Sequence, residues 1–365
     1  MSEHREEQKD GQTRTFDPAS IHLGWWELPI VRTPEGLGQR SSASDRFSCR
    51  NKANGDRGRW KHAGSRTFYA ARVELRVRPR VGRDALDTAT AMLRQFRLVH
   101  STAGMWEAAD LHWWWRRPRR SDTMDQLFWA GANGRDIAAT LLTDWGEHWG
   151  LDPIVVPGAE EALAQIWPAA LALLPDLPGA PDVHMYIVDD DEELIGLATA
   201  AGFTPHSDRG ASCWMPVDRR PGNDRLPSGY RLCDRVTDSA RPHPMITRNG
   251  AQVAERLAAT GLYRPELDLC VRDERGAVAA YGLFWFDPVT AVGHVEPMRT
   301  EDAHQGRGLA RCVLAEGLDR LAALGAHRLK VNHELGNPAA AQLYRSAGFE
   351  RVSTHTGFVR HARPD

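Results

Sequence analysis

The chain has few cysteines, no long apolar run and almost no net charge, and each shortage removes a class of function. Its five cysteines (Cys49, Cys213, Cys233, Cys270, Cys312) are odd in number and scattered, with no Cys-x-x-Cys pair and no Cys/His spacing of the zinc type. That argues against a disulfide framework and against a structural zinc site. No window approaches the ~18 consecutive apolar residues of a membrane helix, and Met1 to Asp10 is charged where a signal peptide needs an apolar stretch. Lys and Arg number 46 against 48 Asp and Glu, a net charge of −2. This excludes whole-chain electrostatic binding of nucleic acid, although not a local basic stripe. The expectation is a protein of the reducing cytoplasm, with no membrane partner.

What is present is length and tryptophan. The 365 residues, 42 % of them hydrophobic, suffice for two domains with cores of their own at ~100–200 residues each. Thirteen Trp outnumber 10 Phe and 6 Tyr, and Trp106, Trp113, Trp114, Trp115, Trp129, Trp145 and Trp149 share one stretch. There Trp113-Trp114-Trp115-Arg116-Arg117-Pro118-Arg119-Arg120 mixes aromatic faces with arginines. Such tryptophans serve as core or interface anchors, with arginines stacked on them. The alternatives are a substrate-cleft wall and base stacking on single-stranded nucleic acid.

Residues 1–65 are rich in Ser, Gly, Arg, Asp and Asn without a sustained period, and read as a disordered leader. Pro216 to Gly229 is polar, with three prolines and two glycines. It reads as a linker, dividing a domain over 66–221 from one over 222–365. Beyond it the pattern predicts strands at Tyr230–Val236, Leu267–Arg272, Val278–Phe286, Val292–Thr300 and Arg328–Asn332. Helices are predicted at Arg248–Thr260, Leu309–Leu324 and Pro338–Ala347, giving an α/β order built around a sheet.

Between the fourth strand and the Leu309 helix stands Gln305-Gly306-Arg307-Gly308-Leu309-Ala310. Two glycines let successive N–H groups turn toward one point, where the helix N-terminus adds about half a positive charge. Arg307 and Arg311, one helical turn apart, add cationic charge. The turn matches Gln/Arg-x-x-Gly-x-Gly/Ala, and Asn337-Pro338-Ala339-Ala340-Ala341-Gln342-Leu343-Tyr344-Arg345-Ser346-Ala347-Gly348-Phe349 matches Asn-x-x-Ala-x-x-Leu-Tyr-x-x-x-Gly-Phe. In order and spacing these resemble the two signatures of the GNAT N-acetyltransferases, and the resemblance spans residues 228–360. Asn337 also suits an N-cap, Pro338 the first helical position and Gly348 the left-handed residue after a helix.

The resemblance implies two mixed β-sheet domains of GNAT type with flanking helices, using acetyl-CoA as co-substrate and no metal. It implies that Met298, Arg299 and Thr300 offer backbone groups to the pantetheine arm and thioester carbonyl. The loop Gln305, Gly306, Arg307, Gly308, Leu309 and Ala310 would hold the pyrophosphate. Asn337 would touch the cofactor's arm, and Tyr344 would protonate the leaving thiolate. An amine acceptor titrates near ~10 and must lose a proton before it attacks, so a base is needed. His294 and Glu296 lie two apart on a strand and share a face. They are the candidate bases, Glu296 first, directly or through water. The alternative for Glu296 is an ion pair with Arg299 or another arginine. Pro297 between these residues and the glycine turn marks a bulge or splayed end of the strand.

The first half holds a faint copy of the second signature. Asp189 to Phe203 ends in Gly202-Phe203, 146 residues before Gly348-Phe349. At that spacing Tyr344 falls on Ala198, Asn337 on Asp191, and the glycine turn on Ala-Glu-Glu-Ala-Leu-Ala, whose acids repel a pyrophosphate. The first copy is therefore expected to be degenerate, in a tandem layout similar to that of the mycothiol synthases. The expected activity is transfer of acetyl from acetyl-CoA to a primary amine of a small molecule or peptide, by direct attack in a ternary complex. The protein is expected to be a monomer or homodimer without a nucleic-acid partner. The competing reading is a non-catalytic CoA-binding sensor that holds a partner through its Trp-rich half.

Overall fold

The structure is a computed structural model that describes residues 74–179, 182–222 and 225–362. The leader expected over 1–65 lies outside the described residues. The first half runs β1 (Arg76–Arg80), α1 (Gly82–Val99), α2 (Ala108–Trp114), β2 (Gln126–Ala130), β3 (Asp136–Asp144), β4 (Trp149–Val155), α3 (Ala162–Ala172), β5 (Val183–Val188), α4 (Glu192–Ala200) and β6 (Thr204–Pro216). The second runs β7 (Tyr230–Asp234), α5 (Ile246–Asn249), α6 (Val253–Ala258), β8 (Asp268–Asp273), β9 (Val278–Asp287), β10 (Val292–Thr300), α7 (Leu309–Ala323), β11 (Arg328–Glu334), α8 (Pro338–Ser346) and β12 (Glu350–Arg360).

The predicted elements of the second half are present, with one correction. The apolar period over Arg248–Thr260 is broken into α5 and α6 by Gly250, which takes a left-handed φ of +87° and ends the first helix. Asn249 at that break is held by Arg116 of the other half, whose Nε donates to its Oδ1 at 2.6 Å. The glycine ends the helix locally, and the tertiary contact holds the break in place.

The two halves share one mixed sheet of twelve strands, ordered β1-β2-β3-β4-β5-β12-β6-β11-β10-β9-β8-β7. Each half lends its last strand to the other. β12 pairs with β5 through Val359↔His184, and β6 pairs with β11 through Val331↔Cys213, while β6 and β12 pair with each other at the centre. A division at the linker therefore cuts across a continuous ladder, and removing either half would strand backbone N–H and C=O groups of the other.

One hydrophobic core also joins the halves: Met92 of α1, Trp113 and Trp114 of α2, and Tyr281, Leu283 and Trp285 of β9 all belong to it. The Trp-rich segment is thus packing material. Trp113 and Trp149 are fully buried, and Trp106 meets Trp114 edge-on at 4.9 Å. The arginines stack on this aromatic array, Arg116 over Trp113 at 4.1 Å and Arg119 over Trp145 at 3.9 Å. Arg256 of α6 reaches across to stack on Trp115 and to donate to its carbonyl at 2.8 Å. Strand pairing also brings Cys233 and Cys270 opposite each other, sulfurs 3.1 Å apart, a proximity their sequence separation hides.

Candidate active site

β10 and β11 run parallel only from Val292↔Arg328 to Val295↔Val331, yet β10 continues to Thr300 and β11 to Glu334. The strands separate there because β10 is kinked. Its Glu296–Pro297 peptide is cis, and its pairing with β9 slips between Val295 and Met298. Pro297 has no N–H to give a ladder, as its place at the splay implies. Beyond the kink Met298, Arg299 and Thr300 pair with Gly282, Tyr281 and Ala280 on one side. Their other edge faces a cleft of about 290 Å³ between the glycine turn and α8.

All the predicted cofactor residues except Arg307 line this cleft, which also includes Tyr344. Gly306 and Gly308 have φ of +72° and +79°, a left-handed backbone that strains any L side chain, and a Cβ built on either meets nothing within 4 Å. The turn therefore leaves open space above its backbone. Gln305 is tied to the turn through Asp302 Oδ1 at 3.2 Å, and Asn337 caps α8 by accepting from the Ala340 N–H at 3.0 Å. Arg307 instead folds back toward the Ala303 carbonyl at 3.4 Å. Arg311 lines the cleft, as does His304, which the sequence did not single out and which is held by the Tyr230 hydroxyl at 2.9 Å.

On the kinked segment His294 and Glu296 do share a face, and both are buried. His294 Nε2 lies 3.2 Å from Glu296 Oε2 and 3.2 Å from Asp110 Oδ1 on α2. The arginine alternative for Glu296 is corrected: its polar partner is His294, while Arg299 pairs with Glu301 and Asp302. Trp285 Nε1 donates to the Glu296 carbonyl at 2.7 Å and fixes the kink from β9.

Asp110 was not legible in the sequence, because it comes from the other half and stands among tryptophans. Its signal was local: with Glu107 it forms a capping box at the start of α2, accepting the Glu107 N–H at 2.6 Å. Glu107 in turn binds Arg97 and the fully buried Lys330 of β11, the latter at 3.0 Å.

These charges act on one another at short range and in low dielectric. Burial disfavours the His294 cation, but the Asp110 and Glu296 carboxylates outweigh it and raise the ring to about 9. Burial also opposes the Asp110 anion, yet His294 holds its carboxyl below the ordinary range. Glu296 moves the other way: burial, reinforced by Asp110, pushes it above the usual carboxylate range despite His294. Burial and the Glu296 charge raise the Tyr344 phenol, which keeps its proton at neutral pH. The splayed edge thus has a carboxylate with raised basicity and a protonated phenol within electrostatic reach of each other.

A split parallel pair, a left-handed glycine turn at a helix start and a tyrosine from the following helix together define an acyl-transfer fold of the GNAT class. Residues 232–349 match the Acetyltransferase (GNAT) family, whose enzymes use acetyl-CoA, so this part of the chain is a GNAT acetyltransferase domain. The chain is similar to a mycothiol acetyltransferase of Propionibacterium freudenreichii subsp. shermanii, 24 % identical over 262 residues that cover 65 % of this chain and 78 % of that one. In fold it is similar to a tandem GNAT protein from the clavulanic acid biosynthesis pathway, with TM-score 0.59 at 16 % identity over 80 % of this chain and 100 % of that one. A GCN5-related N-acetyltransferase from Sphaerobacter thermophilus has TM-score 0.55 at 16 % identity, covering 80 % and 96 %. No helix among the described residues is long and apolar enough to cross a membrane.

Proposed function

We propose that the protein transfers acetyl from acetyl-CoA to the primary amine of a small molecule or peptide, with the chemistry confined to the second half. The first half, 66–221, is read as a degenerate GNAT copy. The observation that carries the reading is the cleft where β10 leaves β11, with Gly306 and Gly308 at one end, Tyr344 on its wall and Glu296 just behind the kink.

Acetyl-CoA bound there would supply the acetyl group as a thioester. The left-handed glycines leave open space for its pyrophosphate against the start of α7, with Arg311 adding positive charge. The free edge of Met298, Arg299 and Thr300 offers N–H groups that hold the arm and polarise the carbonyl. Glu296 takes the proton of the acceptor ammonium; its raised basicity suits that task near neutral pH. His294, held as a cation by Asp110, orients the carboxylate. Tyr344 gives its proton to the departing sulfur, and no acyl-enzyme is required. Cys312 is buried in α7 and takes no part.

Thiol release from acetyl-CoA against a panel of primary amines tests the proposal. Release that depends on one amine class, with acetylated amine as product, is expected. Acetyl-CoA binding without release for any amine would replace the reading by that of a CoA-binding sensor.

A further inference from the structure

The first half carries a second cleft in the matching place. β4 and β5 pair only at Trp149↔Val183 and Gly150↔His184 and then separate, as β10 and β11 do. The cleft between them holds about 280 Å³, nearly the same as the glycine-lined one. Its strand register is informative. Val183 stands 146 residues before Leu329, and their parallel partners are Trp149 and Gly293. Counting on from these partners places Asp152-Pro153 at the position of Glu296-Pro297.

The chemistry of this cleft is inverted. Glu160 and Glu193 are exposed at its mouth, Asp191 stands where the other cleft has Asn337, and the apolar walls include Phe96 and Trp106. At the turn that corresponds to the glycine turn, the Gly158 N–H already donates to Glu160 at 2.9 Å, while Asp191 caps its helix from the Leu194 N–H at 3.0 Å as Asn337 does in the other cleft. At the inner end Asp152 is only 3 % exposed. Its Oδ1 accepts from Trp106 Nε1 at 3.2 Å, while its Oδ2, buried, has no hydrogen-bond partner. A buried carboxylate oxygen left unpaired costs free energy that a donor from a ligand would recover. Burial accordingly raises Asp152 to about 7.

We infer that the first-half cleft binds a primary ammonium with an apolar body: the ammonium donates to Asp152 Oδ2, the body lies between Phe96 and Trp106, and Glu160 and Glu193 attract it at the mouth. The site excludes CoA by charge and is separate from the acetyl-transfer cleft.

Calorimetric titration of the full chain with phenethylammonium, 2-phenylethanol and CoA tests this. The ammonium should bind at one site and the neutral alcohol at least tenfold more weakly, and saturation with CoA should not displace the ammonium. Asp152→Asn should weaken ammonium binding at least tenfold and leave CoA affinity unchanged. Glu296→Gln should leave ammonium binding unchanged. The double variant Glu160→Gln, Glu193→Gln, altered only at the exposed mouth, should weaken it about threefold and keeps the question open to test should Asp152→Asn not fold. Equal binding of amine and alcohol, an unchanged affinity in the mouth variant, or loss through Glu296→Gln in place of Asp152→Asn would each overturn the inference. Binding is read without turnover, so these results stand apart from any result on acetyl transfer.

Discussion

The two clefts of this molecule have the same architecture and opposite chemistry. In each, a parallel strand pair splits beside a proline, a helix follows the first strand, and a capped helix follows the second. One is lined by left-handed glycines and Arg311, the other by Glu160, Asp191 and Glu193. Ala198 replaces Tyr344 at the 146-residue spacing. In both clefts some lining residues also build the sheet and core, Met298, Leu309 and Tyr344 in one and Leu93 and Ile154 in the other, while the charged and glycine positions at the mouth differ. The lesson is that the splayed strands make a cleft, and a few side chains decide what enters it.

That contrast can be broken from the second cleft. The largest effect is expected from Glu296→Gln, which keeps shape and removes the basic oxygen. Turnover should fall about 10²–10⁴-fold, the range for loss of a general base, with CoA affinity unchanged in calorimetry. Next is Gly306→Glu, which places the first cleft's residue in the second. A carboxylate beside a pyrophosphate costs several kcal/mol, and φ of +72° strains the new side chain, so CoA should bind about 10²–10³-fold more weakly. Tyr344→Phe should lower turnover by about 10–10²-fold in steady-state assays while the CoA dissociation constant changes less than about twofold; unchanged turnover would remove Tyr344 from the reaction.

Smaller effects should come from the contact between the halves. His294 titrates higher in the folded protein than its ordinary value of 6.5, so its stabilisation is complete below that pH and is lost as pH rises through about 9. Glu296, raised from 4.5 to about 8, adds a decline that begins near pH 4.5 and overlaps the His294 window up to about 8. Thermal midpoints should therefore fall between pH 6.5 and 9. Asp110→Asn removes the main charge that holds the imidazolium, so the loss of stability across that window should shrink by an amount on the order of 1–3 kcal/mol. NMR should show the His294 ring titrating at lower pH in that variant. In the unsubstituted protein kcat/KM should rise with pH through an inflection above the ordinary carboxylate range, as Glu296 ionises. An inflection near 4 would exclude this carboxyl as the base.

Much of the second half was legible because its signals are local. Asn337 and Pro338 start α8, Gly306 and Gly308 take left-handed φ at the start of α7, and the period of Leu314, Leu318 and Leu321 turns α7 onto the sheet. The pairing of His294 with Glu296 followed from strand alternation. Arg307 does not line the cleft and turns toward the Ala303 carbonyl, a direction that local sequence does not specify for an exposed side chain at a turn. Asp110, Lys330 and Asp152 were not legible, since buried charges look like surface ones until their partners are known.

A chain with few cysteines still brought Cys233 and Cys270 into contact, through strand pairing that no spacing rule contains. By itself the sequence determined most strands and helices of the second half, although not β12 or the break between α5 and α6, and the glycine turn with its family signature, because these depend on residues within one or two turns of each other. Only the tertiary structure decided that β6 and β12 are exchanged between the halves, that the tryptophans bind the halves together, and that Asp110 reaches His294. Those facts depend on which surfaces meet after the chain has closed, and long-range burial and low dielectric give them their energy.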